Sequence, residues 1–364
     1  MTTISGGSRR KVILEDDASG LHLAQALILL APDVDVLGFS AVSGNVWRDA
    51  ALARVCRALE ITGRTDVPAL RGSVFPLLNS EEATLRWEAA HGRLVWKGAW
   101  TNQRVEHTVE PDLRAHAHDM VPDHPLGPAT VVRAQDEHAA LFLLEQTRLH
   151  PGEVTILATG PMTTLAVAQA LDPQFAGRVK ELVYMGGSLN PRQRLSGLHA
   201  DQFAREFANA PRREFNVRWD PEAARMVMRS PFPRMTMIPI DPSTSSQVTS
   251  RLRDALSRCD TALARAFSWL DLGTPLWDEI ASATWLRPDL ITASTDLYID
   301  VDCEPGAGYG NTLSWAPGYQ PGLGERLQKV VLDVDAPALE RLLIERLGSA
   351  TPVSAGLDVV RRPV

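Results

Sequence analysis

Short apolar runs alternate along this chain with longer stretches whose apolar residues recur at helical spacing. Residues 11–16 (KVILED) read as a strand that ends in acids, and residues 21–31 carry apolar side chains at helical spacing. Residues 34–42 (VDVLGFSAV) read as a second strand and 43–46 (SGNV) as a turn. Residues 49–62 read as a helix with Leu52, Val55, Cys56 and Leu59 on one face. The rhythm resumes with a helix at 137–149, a strand at 154–158, a helix at 162–171 and a strand at 182–185 closed by Gly186 and Gly187. A helix at 221–229, a strand at 234–240 and helices at about 250–272 and 278–285 follow. Strands at 297–301 and 329–334 and a helix at 337–347 close the chain. Two stretches break the rhythm: 81–133, rich in Trp, His and Pro, and the polar 188–213. They are expected to be long insertions on one rim of a single domain covering 1–364. Strands alternating with helices predict an α/β fold: an open, mostly parallel, Rossmann-like sheet with helices on both faces.

In such a sheet a ligand lies outside the carboxyl ends of the strands. Those ends are therefore the places to look for chemistry. They read Glu15-Asp16-Asp17, Ser43-Gly44-Asn45, Ala158-Thr159-Gly160-Pro161 and Met185-Gly186-Gly187, joined by Glu214-Phe215-Asn216 and Trp277-Asp278 before helices. Alternation along a strand points Glu15 and Asp17 to the same side. Three adjacent acids repel one another unless a cation, a ligand or hydrogen-bond donors use them.

Composition narrows the function classes. Of 364 residues 45% are hydrophobic, enough for a sizeable core, and 37 basic against 44 acidic residues give a net charge of −7. That balance argues against a nucleic-acid partner. No apolar run reaches the roughly 18 residues of a membrane span, so no membrane partner is expected. The first residues, MTTISGGSRRK, lack the apolar stretch of a secretion signal. Cys56, Cys259 and Cys303 are few, odd in number and far apart, as in reduced thiols of a cytoplasmic protein.

Six segments then align in order and approximate spacing with one known family. They are KVILEDDASGLHLAQAL, VLGFSAVSGNV, EVTILATGPMTTLAVAQALDP, VKELVYMGG, REFNVRWDPEAARMV and PLWDEIASATWLRPDLI. Over nearly its whole length the chain resembles the inosine–uridine-type nucleoside hydrolases, whose fold is an open α/β sheet of the kind the periodicity predicts. The family opens on D-x-D-P-G-x-D-D, acids that hold calcium and grip the ribose hydroxyls. Here the stretch is E-D-D-A-S-G-L-H-L. The resemblance puts Glu15 on the first acid. It puts Asp17 on the second, which in the family binds calcium and deprotonates the attacking water. With one inserted residue the closing acid pair falls on His22 and Leu23; without a gap it falls on Leu21 and His22. Both acids are gone in either register.

The resemblance further implies that the Thr159 carbonyl binds calcium and that Asp278 binds calcium and ribose. It implies that Asn45, Glu214 and Asn216 contact the sugar and its 5′ side, with Met185 beside them. Asn209 is a further sugar-contacting candidate inside an insertion, and His91-Gly92 matches a His-Gly near the mouth of the family's site. The late His that protonates the leaving base in many members is Trp277 here. A hard cation takes about six to eight oxygen ligands. Asp17, Asp278, the Thr159 carbonyl and Glu15 or Asp16 fall short of that, so calcium binding is expected to be weakened or lost.

The expected activity is hydrolysis of the N-glycosidic bond of a nucleoside or nucleoside-like ribosyl compound, with Asp17, His22 and Asp278 as catalytic candidates and a small molecule as the partner. His22 is read either as a packed or capping residue at a helix start, or as a rim imidazole that acts as acid or base or replaces part of the cation's charge. A relative recruited to another reaction and an inactive ligand-binding relative are the alternatives. The resemblance implies a homodimer or homotetramer. Outside the motif, His116, His118, Asp119 and His124 cluster in a Pro-rich stretch, where a transition-metal site competes with solvated histidines. Trp47, Trp96, Trp100 and Trp277 lie in rim segments and could box a planar group.

Overall fold

The computed structural model describes residues 9–349 apart from Ser19, 101–116, 124–126, 190–211 and Trp269. The first strand, β1 (Arg10–Asp16), leads to α1 (Leu23–Leu29), β2 (Val34–Ala41), α2 (Arg48–Ile61) and β3 (Ala69–Arg71). Then come α3 (Glu81–His91), β4 (Ala134–His138), α4 (Ala139–Leu149), β5 (Val154–Ala158), α5 (Thr163–Leu171), the single turn α6 (Phe175–Arg178) and β6 (Glu181–Met185). After 190–211 the order is α7 (Phe215–Trp219), α8 (Pro221–Arg229), β7 (Met235–Ile238), α9 (Ser250–Ser257), α10 (Ala262–Ser268) and α11 (Trp277–Leu286). Strands β8 (Ile291–Val301), β9 (Thr312–Trp315) and β10 (Arg326–Val334) precede α12 (Ala336–Leu347).

The ten strands form one sheet in the order β4-β3-β2-β1-β5-β6-β7-β10-β8-β9. All neighbours from β4 to β10 run parallel, whereas β10-β8 and β8-β9 are antiparallel. The expected open, mostly parallel sheet is present, with an antiparallel edge added. The chain winds outward from β1 to β4, then restarts on the other side of β1 with β5. The topological switch point, where α/β sheets bind ligands, therefore lies between the carboxyl ends of β1 and β5.

Both faces of the sheet are covered. Val12 and Leu14 of β1 belong to one apolar cluster with α1, α2, α11 and α12, and Ile13 belongs to the other, with α4, α5 and α8. The same alternation turns Asp16 toward the first face and Glu15 and Asp17 toward the second.

Several boundaries differ from the sequence reading for local reasons. The helix expected over 250–272 is two, because the Thr261 hydroxyl accepts from the Ala264 amide and starts a new helix. Strand β4 is polar and largely exposed, without the β-branched signal that marks strands. Strand β8 begins six residues before its apolar end, since its first half is mostly exposed. The stretch 81–133 opens with a regular helix, α3, capped by the Ser80 hydroxyl on the Ala83 amide. The division into one domain with two insertions stays an expectation, because 101–116, 124–126 and 190–211 lie outside the described residues. Among the described residues no helix is long and apolar enough to cross a membrane.

Candidate active site

Asp17 follows β1 directly and is fully buried. Its Oδ2 accepts from the Asn45 backbone amide at 2.7 Å and its Oδ1 from the Asn45 side-chain amide at 3.2 Å. Two glycines make room for it. A Cβ on Gly44 would lie 1.9 Å from Asp17 Oδ2, and one on Gly160 would lie 3.1 Å from the Asp17 backbone nitrogen. Asn45 is oriented in turn by Trp96, whose indole N–H donates to its Oδ1 at 2.8 Å. The amide nitrogen therefore faces the carboxylate.

At the end of β5, the Thr159 amide donates to the Glu15 carbonyl at 2.9 Å. The Thr159 carbonyl accepts from Asn216 Nδ2 at 2.9 Å, and the same nitrogen reaches the Met185 carbonyl at 3.1 Å. Asn216 thus ties the ends of β5 and β6 together. Glu214 caps α7: its carboxylate accepts from the amides of Asn216, Val217 and Gly187 at 2.8, 3.1 and 2.9 Å. Asp278 lies half-buried in the first turn of α11, where the helix dipole favours a carboxylate.

These acids feel one another. Loss of water and then the neighbouring Asp16 hold the Asp17 carboxyl well above the usual carboxylate range, against the hydrogen bonds from Asn45. Desolvation, then Asp16, Glu279, Asp17 and Glu214, do the same to Asp278. Burial raises Glu214 despite its three backbone donors. Burial also pushes Glu15 up to about 8 and Glu279 to about 7. Acids raised together near the carboxyl ends of parallel strands mark a candidate functional site.

His22 lies on the other face. Its ring is fully buried and edge-on to Phe39, with centroids 5.2 Å apart. Nδ1 lies 2.7 Å from Asp16 Oδ2, and Nε2 lies 3.2 Å from the Ala51 carbonyl. Both nitrogens are engaged inside the protein, a geometry suited to holding Asp16 in place rather than reaching a substrate. His22 takes a left-handed backbone, φ 51°, unlike any other described non-glycine residue.

The remaining candidates separate. Trp277 packs against the apolar core beneath α11. Trp47 and Trp100 are buried around Trp219, with Trp100 stacked on Trp219 at 3.9 Å, so they form a small satellite core rather than an open box. His91 is exposed at the end of α3 and leans on Trp87 at 5.3 Å. His118 packs on Phe75 at 5.2 Å; His116, His124 and Asn209 lie outside the described residues. Gln25 was not foreseen: it is fully buried in α1 and donates to the Thr159 hydroxyl. A polar residue inside the apolar stripe of a helix was the available signal.

The residues present do not fit a calcium ion. Asp17 already accepts on both oxygens, Glu214 accepts three amides, and the Thr159 carbonyl accepts from Asn216. Asp16 Oδ1 accepts from the amides of Asp17 and Ala18 at 2.8 and 3.3 Å, and its Oδ2 meets His22. Glu15 Oε2 accepts from the Ser40 hydroxyl, and its Oε1 has no hydrogen-bond partner. Among the described residues no three of His, Cys, Asp or Glu converge to hold a metal ion.

Residues 12–341 match the family described as inosine-uridine preferring nucleoside hydrolase. Over 223 residues the chain is 31% identical to a probable uridine nucleosidase 2 of Arabidopsis thaliana, covering 61% of this chain and 56% of that one. It is 26% identical over 323 residues to the pyrimidine-specific ribonucleoside hydrolase RihB of Escherichia coli, covering 84% and 87% of the two. Among solved structures, a purine-preferring ribonucleoside hydrolase from Gardnerella vaginalis superposes with a TM-score of 0.67 at 21% identity, over 93% of this chain and 98% of that one. With the match to the family spanning most of the chain, and the ends of β1, β2, β5 and β6 arranged as above, this chain belongs to the inosine-uridine preferring nucleoside hydrolase family.

Proposed function

We propose that this protein hydrolyses the N-glycosidic bond of a nucleoside or nucleoside-like ribosyl compound, with Asp17 taking the proton of the attacking water. The supporting observation is the Asp17 carboxylate, held at the switch point by two donors from Asn45. A carboxylate raised above its ordinary range is a stronger base once ionised, which suits removal of a proton from water. The water oxygen bonds to the anomeric carbon. The C–N bond breaks with its electron pair passing to the leaving base, which takes up a proton from the surrounding water. Positive charge that builds on the sugar ring faces Asp17, Asp278 and Glu214 and is stabilised by them. Asn45, Asn216 and Met185 line the sugar side. Trp277 carries no acid group, so it takes no part in protonating the base.

The test is release of free base and ribose from a panel of purine and pyrimidine nucleosides. Asp17→Asn is expected to lower turnover by about a hundredfold to ten-thousandfold, the usual contribution of a general base. No release by the wild type from any member of the panel, or undiminished release by the variant, overturns the reading. The family resemblance also supports a homodimer or homotetramer, and the three unpaired cysteines support a cytoplasmic location; light scattering and fractionation would check these.

A further inference from the structure

The pair of acids that closes the family's first motif is replaced here by Leu21 and His22 or, with a gap, by His22 and Leu23. Neither replacement supplies a carboxylate to a cation. Leu21 and Leu23 both belong to the apolar core. His22 turns to Asp16 and to the Ala51 carbonyl. A carbonyl only accepts, so Nε2 carries a hydrogen. Nδ1 and Asp16 Oδ2 stand 2.7 Å apart, too close for two bare acceptors, so a proton lies between them. The Asp16–His22 pair therefore has no net charge, whereas two acids in its place would carry two negative charges that call for a divalent ion.

The pair also reaches the reacting carboxylate through the backbone. Asp16 Oδ1 accepts the amide of Asp17 at 2.8 Å and that of Ala18 at 3.3 Å. Fixing Asp16 thus fixes the turn that carries Asp17. Two of the groups that a calcium ion would use already take hydrogen bonds from the protein, Asp17 from Asn45 and the Thr159 carbonyl from Asn216, whereas Glu15 Oε1 has no hydrogen-bond partner.

We propose that this site is assembled without calcium, and that the proton held between Asp16 and His22 does for the first motif what a divalent ion does elsewhere in the family. His22 is then a positioning residue acting through Asp16 on Asp17. The inference rests on reading the site as that of an N-glycoside hydrolase, but its main test does not depend on turnover.

Calcium alone is the probe, and the full chain is the sample. Isothermal titration and thermal melting are run with calcium chloride and with EDTA. The wild type is expected to show no binding heat and the same melting temperature in both. Leu21→Asp/His22→Asp is expected to melt higher with calcium than with EDTA, by mass action on the folded state. His22→Gln removes the shared proton. It is expected to lower kcat by about a hundredfold, with KM little changed and no rescue by calcium, as misplacement of a reacting group does. A wild type that binds calcium stoichiometrically, or whose melting temperature falls in EDTA, overturns the proposal even if the double variant fails to fold. A folded double variant that ignores calcium, or full kcat in His22→Gln, also counts against it. If the wild type cleaves no nucleoside, the calcium measurements still decide this inference while the functional reading fails.

Discussion

Asn45 grips Asp17 with two donors, its backbone amide at 2.7 Å from Oδ2 and its side-chain amide at 3.2 Å from Oδ1. The backbone donor survives any substitution and the side-chain donor does not. Asn45→Ala should therefore keep the fold while freeing one carboxylate oxygen. Turnover is expected to fall by about tenfold to a hundredfold, since loosening a reacting group is costly. Steady-state kinetics beside a melting curve test this. Unchanged turnover would show that the backbone amide alone suffices.

Gly44 is needed because Asp17 occupies the space where its side chain would be. A Cβ there would sit 1.9 Å from Asp17 Oδ2 and 2.8 Å from Pro161 Cδ. Gly44→Ala should displace the carboxylate, abolish most activity and cost about 1–3 kcal/mol through overpacking. Gly177 is the control, with nothing within 4 Å of its added Cβ. Gly177→Ala should be neutral or stabilising by up to about 1 kcal/mol. Denaturant melts of both variants check the contrast. Equal stabilities would mean that Asp17 can move aside freely.

How far the site could be read in the sequence follows from the range of each contact. Asp17, Asn45, Thr159 and Met185 sit just past apolar runs, and a parallel sheet brings such ends together by topology alone. The partner that orients Asn45 could not be read this way. Trp96 comes 51 residues later, in a stretch without a clear period, and only packing places its indole on Asn45. The pattern of acids and amides also could not say which were already engaged. Glu214 looks like a free carboxylate until its three backbone donors are seen. The antiparallel edge escaped for a different reason. Much of β8 and β10 is exposed, so apolar alternation marks only their buried ends.

Burial holds Glu15 at about 8 against an ordinary 4.5. Between those values the folded state keeps a proton that the unfolded chain has lost. Stability is therefore greatest at or below the lower value and declines as pH rises through the window. Glu15→Gln keeps an oxygen for the Ser40 hydroxyl and has no proton to lose. Wild type and variant should differ least near pH 4.5. They should then diverge toward pH 8 by on the order of 1 kcal/mol per pH unit in the variant's favour. Melting temperatures across this range read it directly. Parallel curves would place the titration elsewhere.

Trp96 decides which end of the Asn45 amide faces the carboxylate. Its N–H donates to Asn45 Oδ1 at 2.8 Å, which leaves Nδ2 for Asp17. With that donor gone, a flipped amide would set an oxygen against a buried carboxylate. Trp96→Phe keeps one aromatic ring and removes the N–H together with the rest of the indole's five-membered ring. It should lower turnover by up to about tenfold, the equivalent of one ordinary hydrogen bond. Trp96 acts on Asp17 through Asn45, so the two substitutions are not independent. The double variant Trp96→Phe/Asn45→Ala should be no slower than Asn45→Ala alone. Multiplicative losses in that cycle would mean that Trp96 contributes by another route, such as its carbonyl contact with Arg218 at 2.5 Å.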